Sequence, residues 1–169
     1  MHRVLTFAAV LALSACASMM PQPPAPISIR TLASKTDYEP YLTKGSATLT
    51  GQAFLTTVGG DVKKGAGRMV TLDPATPYSN EWYASYGTNL SRFAETPSAP
   101  EFASARRTTV ADADGRFKFA DLPAGSYIVR STVTWDTGRY QYVSDTQGGV
   151  VSGVVTIAAG ESKELILHR

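Results

Sequence analysis

The segment Thr108–Val129, TTVADADGRFKFADLPAGSYIV, decides the fold. Its middle part, Arg116–Phe119, alternates charged and aromatic residues, so that both phenylalanines share one face of a strand. Asp114-Gly115 suits a tight hairpin turn, because glycine adopts a positive φ without strain. We expect Leu122 to fill the core between strands, and the Pro-Ala-Gly turn after it to direct Tyr127 inward. The segment therefore predicts three short strands joined by turns.

The same period of two recurs along the rest of the chain from residue 46 onward. It favours about eight short strands with frequent turns, which is typical of an all-β antiparallel sandwich and not of a parallel sheet. The further predicted strands are Ala47–Phe54, with a bulge or close contact at Gly51, and Arg68–Pro74, Tyr127–Trp135, Arg139–Ser144, Gly149–Ala158 and Ser162–Leu167.

One segment interrupts this alternation and predicts a short helical insertion between two strands. Thr76-Pro77 is typical of a helix start, with threonine as the N-cap and proline in the first turn. Tyr78, Trp82, Tyr86 and Leu90 then recur every four residues, which places them on one helix face. We predict a helix of about ten residues.

The aromatic residues of this insertion are the candidate ligand-binding residues: Tyr78, Trp82, Tyr83 and Tyr86. Sugars stack their apolar faces on aromatic rings, and tyrosine and tryptophan suit such surfaces. The alternative is that the rings pack the helix onto the sheet, which the spacing of four favours. Tyr83 lies about 100° around the helix from Trp82 and is expected to be more exposed.

Two stretches resemble a known family. Thr108–Val129 is similar to the carboxypeptidase regulatory-like domains, which belong with the prealbumin-like and Cna-B-like sandwiches, and Gly67–Thr76 (GRMVTLDPAT) looks like the partner strand of such domains. The resemblance covers roughly residues 47–167 apart from the insertion, and it implies an Ig/prealbumin-like sandwich of about seven to eight strands. Such domains serve as rigid spacers, folding accessories, adhesin stalks and sugar-binding modules, so the fold does not select a function.

The start of the chain has the pattern of a secretory signal. A positive head, Met1-His2-Arg3, precedes ten apolar residues, Val4–Leu13, half of the roughly 20 that a membrane-spanning helix needs. Leu13-Ser14-Ala15-Cys16 resembles the lipobox of bacterial lipoproteins. The resemblance implies cleavage before Cys16 and acylation of Cys16. Ala17 is not the aspartate that would retain such a protein at an inner membrane, so we expect the outer membrane of a two-membrane host, on its periplasmic or surface face.

The chain is predicted to have three parts: a signal peptide over 1–15, a lipidated leading segment over 16–45, and the sandwich over 46–169. Ser18–Pro26 (SMMPQPPAP) has four prolines in nine residues and favours an extended tether. Tyr38, Tyr41 and Leu42 could lie against the domain.

The inventory of residues argues against catalysis, metals and nucleic acid. His168, beside the C-terminus, is the only histidine after Cys16, which disfavours histidine-based nucleophilic catalysis. Asp112 and Asp114 are too few for a calcium site that needs six to eight oxygens, so a turn is favoured. Sixteen Lys and Arg against 14 Asp and Glu are scattered, and pairs such as Arg106-Arg107 are expected at solvated loop ends.

These observations predict a non-catalytic envelope lipoprotein, without cofactor or metal, that acts as a binding or structural module displayed from the membrane. The alternative is a carbohydrate-binding module that recognises envelope or environmental glycan. The expected partners are the membrane, through the lipid, and an envelope protein or glycan.

Overall fold

Two four-stranded sheets packed face to face form the body of the protein. The computed structural model describes residues 31–86, 99–138 and 145–169. Its strands are β1 (Ala47–Thr56), β2 (Val62–Lys64), β3 (Met69–Pro74), β4 (Arg107–Val110), β5 (Arg116–Leu122), β6 (Gly125–Asp136), β7 (Thr146–Ile157) and β8 (Ser162–Leu167). The predicted β-sandwich is thus confirmed, while the predicted strand over residues 139–144 lies outside the described residues.

Sheet one is built around β1, and sheet two has the order β4-β3-β6-β7. In sheet one, β5 and β2 pair antiparallel with successive parts of β1, and β8 pairs with β1 in parallel. All pairs in sheet two are antiparallel. The chain therefore forms an antiparallel sandwich that contains one parallel pair.

The helices are α1 (Lys35–Tyr38), which leads into a 3-10 turn (Glu39–Tyr41), α2 (Pro77–Tyr86) and α3 (Pro100–Ala105). The predicted helix start is confirmed for α2, because the Thr76 hydroxyl accepts a hydrogen bond of 3.2 Å from the Ser79 amide. Neither α3 nor β2 is predicted from the sequence, since six and three residues are too short to show a period.

The segment that decides the fold lies as predicted. Phe117, Phe119 and Leu122 are buried between the sheets, and Tyr127 is 1% exposed. Its hydroxyl donates to the Pro123 carbonyl at 2.7 Å, and burial raises the pKa of Tyr127 to about 12. The close contact expected at Gly51 is also present, because a Cβ there would lie 2.1 Å from the Leu165 carbonyl oxygen of β8.

The leading segment packs on the sandwich through its tyrosines. Tyr38 is buried, and the ring of Tyr41 lies 5.3 Å from that of Tyr127 in an edge-to-face contact. Leu42 remains half exposed. Cys16 and the proline-rich tether lie outside the described residues. Within the part of the chain that the structure describes, no helix is long and apolar enough to cross a membrane.

Candidate functional site

The helical insertion covers the outer face of sheet two and forms a second hydrophobic core there. We call α1, α2 and α3 together the helical cap. Among the described residues, the cap and the sheet bury seven side chains against each other: Tyr38, Tyr78, Trp82, Tyr83, Phe102, Ala105 and Ile128.

Three of the four candidate ligand-binding aromatics lie in this second core. Tyr78 and Trp82 are buried, with ring centres 6.0 Å and 5.8 Å from that of Phe102 on α3. Tyr83 is more exposed than Trp82, as expected, but at 9% against 2% it is also buried, and its hydroxyl donates to the carboxylate of buried Asp73. The side chain of Tyr86 lies outside the described residues. Tyr78, Trp82 and Tyr83 therefore face the sheet and α3 instead of forming a stacking surface in solvent.

A cluster of charged groups lies beneath the cap. Asp73 is fully buried and accepts two hydrogen bonds of 2.8 Å from the Arg106 guanidinium. Arg130 is also fully buried, and its guanidinium carbon lies 5.0 Å and 5.1 Å from the ring centres of Trp82 and Tyr83. Because Asp73 precedes α2 and Arg106 follows α3, their ion pair joins the two ends of the insertion. The prediction that Arg106 lies at a solvated loop end is wrong, since the carboxylate draws it under the cap.

Burial and neighbouring charges shift the pKa values of the side chains in this cluster. Burial, reinforced by the negative charge of Asp73, raises the pKa of Tyr83, so its hydroxyl stays protonated as a donor. Burial opposes the charge of Arg106, but the hydrogen bonds and charge of Asp73 outweigh it and raise the pKa of Arg106. Burial lowers the pKa of Arg130. The cluster therefore combines an uncharged tyrosine with a network of charged side chains, and together they anchor the cap.

The outer face of sheet one presents a different surface. Alternate residues of a strand point to opposite faces, so the residues between the buried positions of β1, β5 and β8 point outward. The register places Thr50 beside Lys118 on one side and Glu164 on the other, and Gln52 between Arg116 and Ile166. We call this surface the open face, and it comprises Thr50, Gln52, Phe54, Arg116, Lys118, Glu164, Ile166 and His168.

A groove of about 540 Å³ runs over the open face, within the range of small-molecule binding sites. Its lining includes Thr50, Gln52, Lys118 and Glu164, and it extends to Val110 on β4. Beyond Gln52 on the same face of β1, the partly exposed ring of Phe54 lies 5.3 Å from that of His168. Polar side chains and an aromatic pair therefore share one face of the sheet.

Hydrogen bonds hold one side of the groove in place. Asp114 accepts from the Lys64 ammonium at 2.6 Å and from the Arg116 guanidinium at 2.7 Å, which lowers the pKa of the Asp114 carboxyl. Gln52 donates to the Asp114 carbonyl at 2.7 Å. By contrast, the side chains of Lys118 and Glu164 form no ion pair or hydrogen bond with another residue that the structure describes. These two charges remain available to a ligand.

The hairpin at Asp112 and Asp114 has the hydrogen bonds of a turn. One carboxylate oxygen of Asp112 accepts the amides of Asp114 and Arg116, both at 2.8 Å. Both oxygens of Asp114 contact cationic side chains. Within residues 31–86, 99–138 and 145–169, no three His, Cys, Asp or Glu residues are grouped to hold a metal ion.

Sequence reasoning predicted which residues of these strands alternate, but it did not identify the open face. Thr50 and Glu164 are neighbours only because β8 pairs in parallel with β1. A parallel pair between distant segments leaves no local sequence signal. The sequence indicated the insertion as the candidate site instead, because its aromatic residues are close together in the sequence.

No family model and no curated protein matches the sequence. Among solved structures, the chain is similar to a proposed carbohydrate-binding protein from Pseudomonas aeruginosa, with 28% identity and a TM-score of 0.67 over 81% of this chain and 97% of that one. It is more distantly similar to the major pilin subunit of Bacillus cereus, with 14% identity and a TM-score of 0.40 over 73% of this chain and 30% of the pilin. The first similarity spans nearly the whole length of its neighbour, and it supports the sandwich fold.

Proposed function

We propose that this protein is a non-catalytic carbohydrate-binding module that a lipid on Cys16 holds at the cell envelope. The observation that carries the proposal is the open face, where a polar groove lies beside a partly exposed aromatic ring. The similarity to a proposed carbohydrate-binding protein over 97% of its length supports the same function.

The chemistry of the open face suits a sugar. Sugar hydroxyls both donate and accept hydrogen bonds, and Lys118, Glu164, Thr50 and Gln52 supply donors and acceptors along the groove. The ring of Phe54 offers a surface for the apolar C–H face of a sugar. The groove and the neighbouring ring together therefore offer hydrogen bonds and a stacking surface on one face of the sheet.

A protein partner is the other candidate, and the surface favours it less. The large exposed hydrophobic side chains are distributed over several elements. Val58 follows β1 and Val154 is on β7, and Val110 on β4 has an exposed apolar neighbour in Met69 on β3. Protein interfaces use larger contiguous apolar patches. The open face is predominantly polar.

Lys118→Met tests the groove. We expect the variant to bind glycan at least about tenfold more weakly, because a hydrogen bond to a charged group contributes about 1.5–3 kcal/mol. A panel of peptidoglycan, polysaccharides and a glycan array first identifies a bound polymer, and calorimetry with the full chain then measures its affinity.

Lys35→Met is the matched control. It removes the same charge as Lys118→Met, but from a side chain that is 78% exposed on the helical cap. It should bind as the unmodified protein does. Absence of saturable binding across the panel would refute the proposed function. If Lys118→Met and Lys35→Met bind the glycan with equal affinity, the groove is not part of the binding site.

Cys16→Ser tests the anchor. We expect the variant to leave the membrane fraction completely and to incorporate no fatty acid, because acyl chains on this residue supply the membrane affinity. Cell fractionation and labelling with palmitate measure both effects.

Ser18→Ala, two residues further along the tether, keeps the cysteine and should remain in the membrane fraction. Full membrane association of Cys16→Ser would show that the chain is held by something other than a lipid on this residue.

A further inference from the structure

The groove runs across the strands of sheet one. Its described lining begins at Glu164 on β8, continues over Thr50 on β1 and Lys118 on β5, and reaches Val110 on β4. Neighbouring strands are about 4.8 Å apart, so Glu164 and Lys118 start from backbones separated by about 10 Å. The distance exceeds the width of one pyranose ring, and a single sugar does not span the groove.

Both ends of the described lining are open to solvent. Val110 is 66% exposed at one end, and Glu164 is exposed at the other. A pocket that recognises the end of a sugar chain has a wall behind the terminal ring. Among the residues that the structure describes, the groove has exposed side chains at both ends in place of such walls. This shape lets a chain continue past the site in both directions.

The charges of the groove and its margin balance. Arg116, Lys118 and Lys64 carry three positive charges, and Asp112, Asp114 and Glu164 carry three negative ones. A polyanionic glycan would therefore meet carboxylates wherever it meets cations. An uncharged glycan can use the donors and acceptors of the same groups without repulsion.

We infer that the open face binds an internal stretch of an uncharged linear glycan, two or more sugar units long, whose chain crosses the strands of sheet one from Glu164 and then reaches Val110 on β4, the edge strand of sheet two. The inference rests on the proposed function and names the ligand class of the same site. Val110 provides an apolar contact at one end of the path, and Glu164 provides a hydrogen-bond acceptor at the other.

Calorimetry with chito-oligosaccharides and cello-oligosaccharides of one to six units tests this inference on the full chain. In at least one of the two series, affinity should rise at least tenfold from the monosaccharide to the trisaccharide and then level off. Reduction of the reducing end should leave the affinity of the longer members unchanged. A monosaccharide that binds as tightly as the trisaccharide, or loss of binding after end reduction, would overturn the inference.

Variants at the two ends locate the chain. Val110→Asp and Glu164→Gln should each lower the affinity for the trisaccharide about three- to tenfold. The control Val154→Asp places the same change at a residue that is 67% exposed on sheet two, and it should leave the affinity unchanged. If Val110→Asp has no more effect than Val154→Asp, the proposed path is wrong.

Failure of the inference is distinguishable from failure of the proposed function. Saturable binding of an anionic polysaccharide, with no binding of either oligosaccharide series, would overturn the ligand class and keep the carbohydrate module. No binding of any polymer in the panel would overturn both.

Discussion

Asp73→Ala is expected to lower the free energy of unfolding by about 3–5 kcal/mol, as is typical when one partner of a buried ion pair is removed. Asp73 is fully buried, and its carboxylate accepts hydrogen bonds from Arg106 and Tyr83. Without it, the guanidinium of Arg106 keeps its charge in a site where only 13% of the side chain is exposed. Urea denaturation of the variant and the unmodified protein measures the difference.

Glu39→Gln is the control for this prediction. Glu39 pairs with Lys35 at 3.7 Å, but both side chains are more than half exposed, so the change should cost less than about 0.5 kcal/mol. The double variant Asp73→Leu/Arg106→Met should recover part of the loss, because it removes both charges of the pair. If Asp73→Ala is as stable as Glu39→Gln, the charge network does not anchor the cap.

The sandwich could be predicted because buried and exposed positions alternate along a strand, and the residue types in the sequence alternate with them. Phe117 and Phe119 alternate with charged residues on β5, and Tyr127 begins the inward row of β6. The start of α2 could be predicted for a similar local reason, since Thr76 and Pro77 satisfy the first turn of the helix. These features depend on neighbours within a few positions.

The environment of the cap could not be predicted from the same signals. A helical wheel treats α2 as a cylinder on a flat apolar surface, and on that assumption Tyr83 faces outward. In the structure, sheet two places the buried carboxylate of Asp73 at the Tyr83 hydroxyl. Arg106, which follows α3, completes the cluster and lies over the ring of Trp82 at 5.7 Å. A polar partner inside the protein thus keeps Tyr83 buried, although it is expected to be more exposed than Trp82.

The candidate site was missed for a different reason, because it depends on topology. Thr50, Lys118 and Glu164 lie in one row, although they come from three distant parts of the chain. Each residue alone has the character of an ordinary solvated strand position. Only the pairing of β5 and β8 with opposite sides of β1 places on either side of a threonine an ammonium and a carboxylate that have no partner among the described residues.

Leu122→Ala is expected to lower the free energy of unfolding by about 2–5 kcal/mol, because it removes a buried side chain and leaves a cavity. Leu122 is fully buried at the end of β5, opposite Ala47 of β1. Its side chain belongs to the hydrophobic core between the two sheets. Urea denaturation and the melting temperature measure the loss.

Leu42→Ala is the matched control, since Leu42 is 51% exposed and the same atoms are removed from a position in contact with solvent. It should cost less than about 0.5 kcal/mol.

The two tryptophans report the unfolding of different parts of the protein, because Trp82 lies in the second core and Trp135 packs against the core between the sheets. Single-tryptophan versions of Leu122→Ala should unfold with coincident transitions, since the cap has no support once sheet two is lost. An unchanged melting temperature would show that Leu122 does not fill the core, and a cap transition at higher urea than the sandwich transition would show that the cap folds without it.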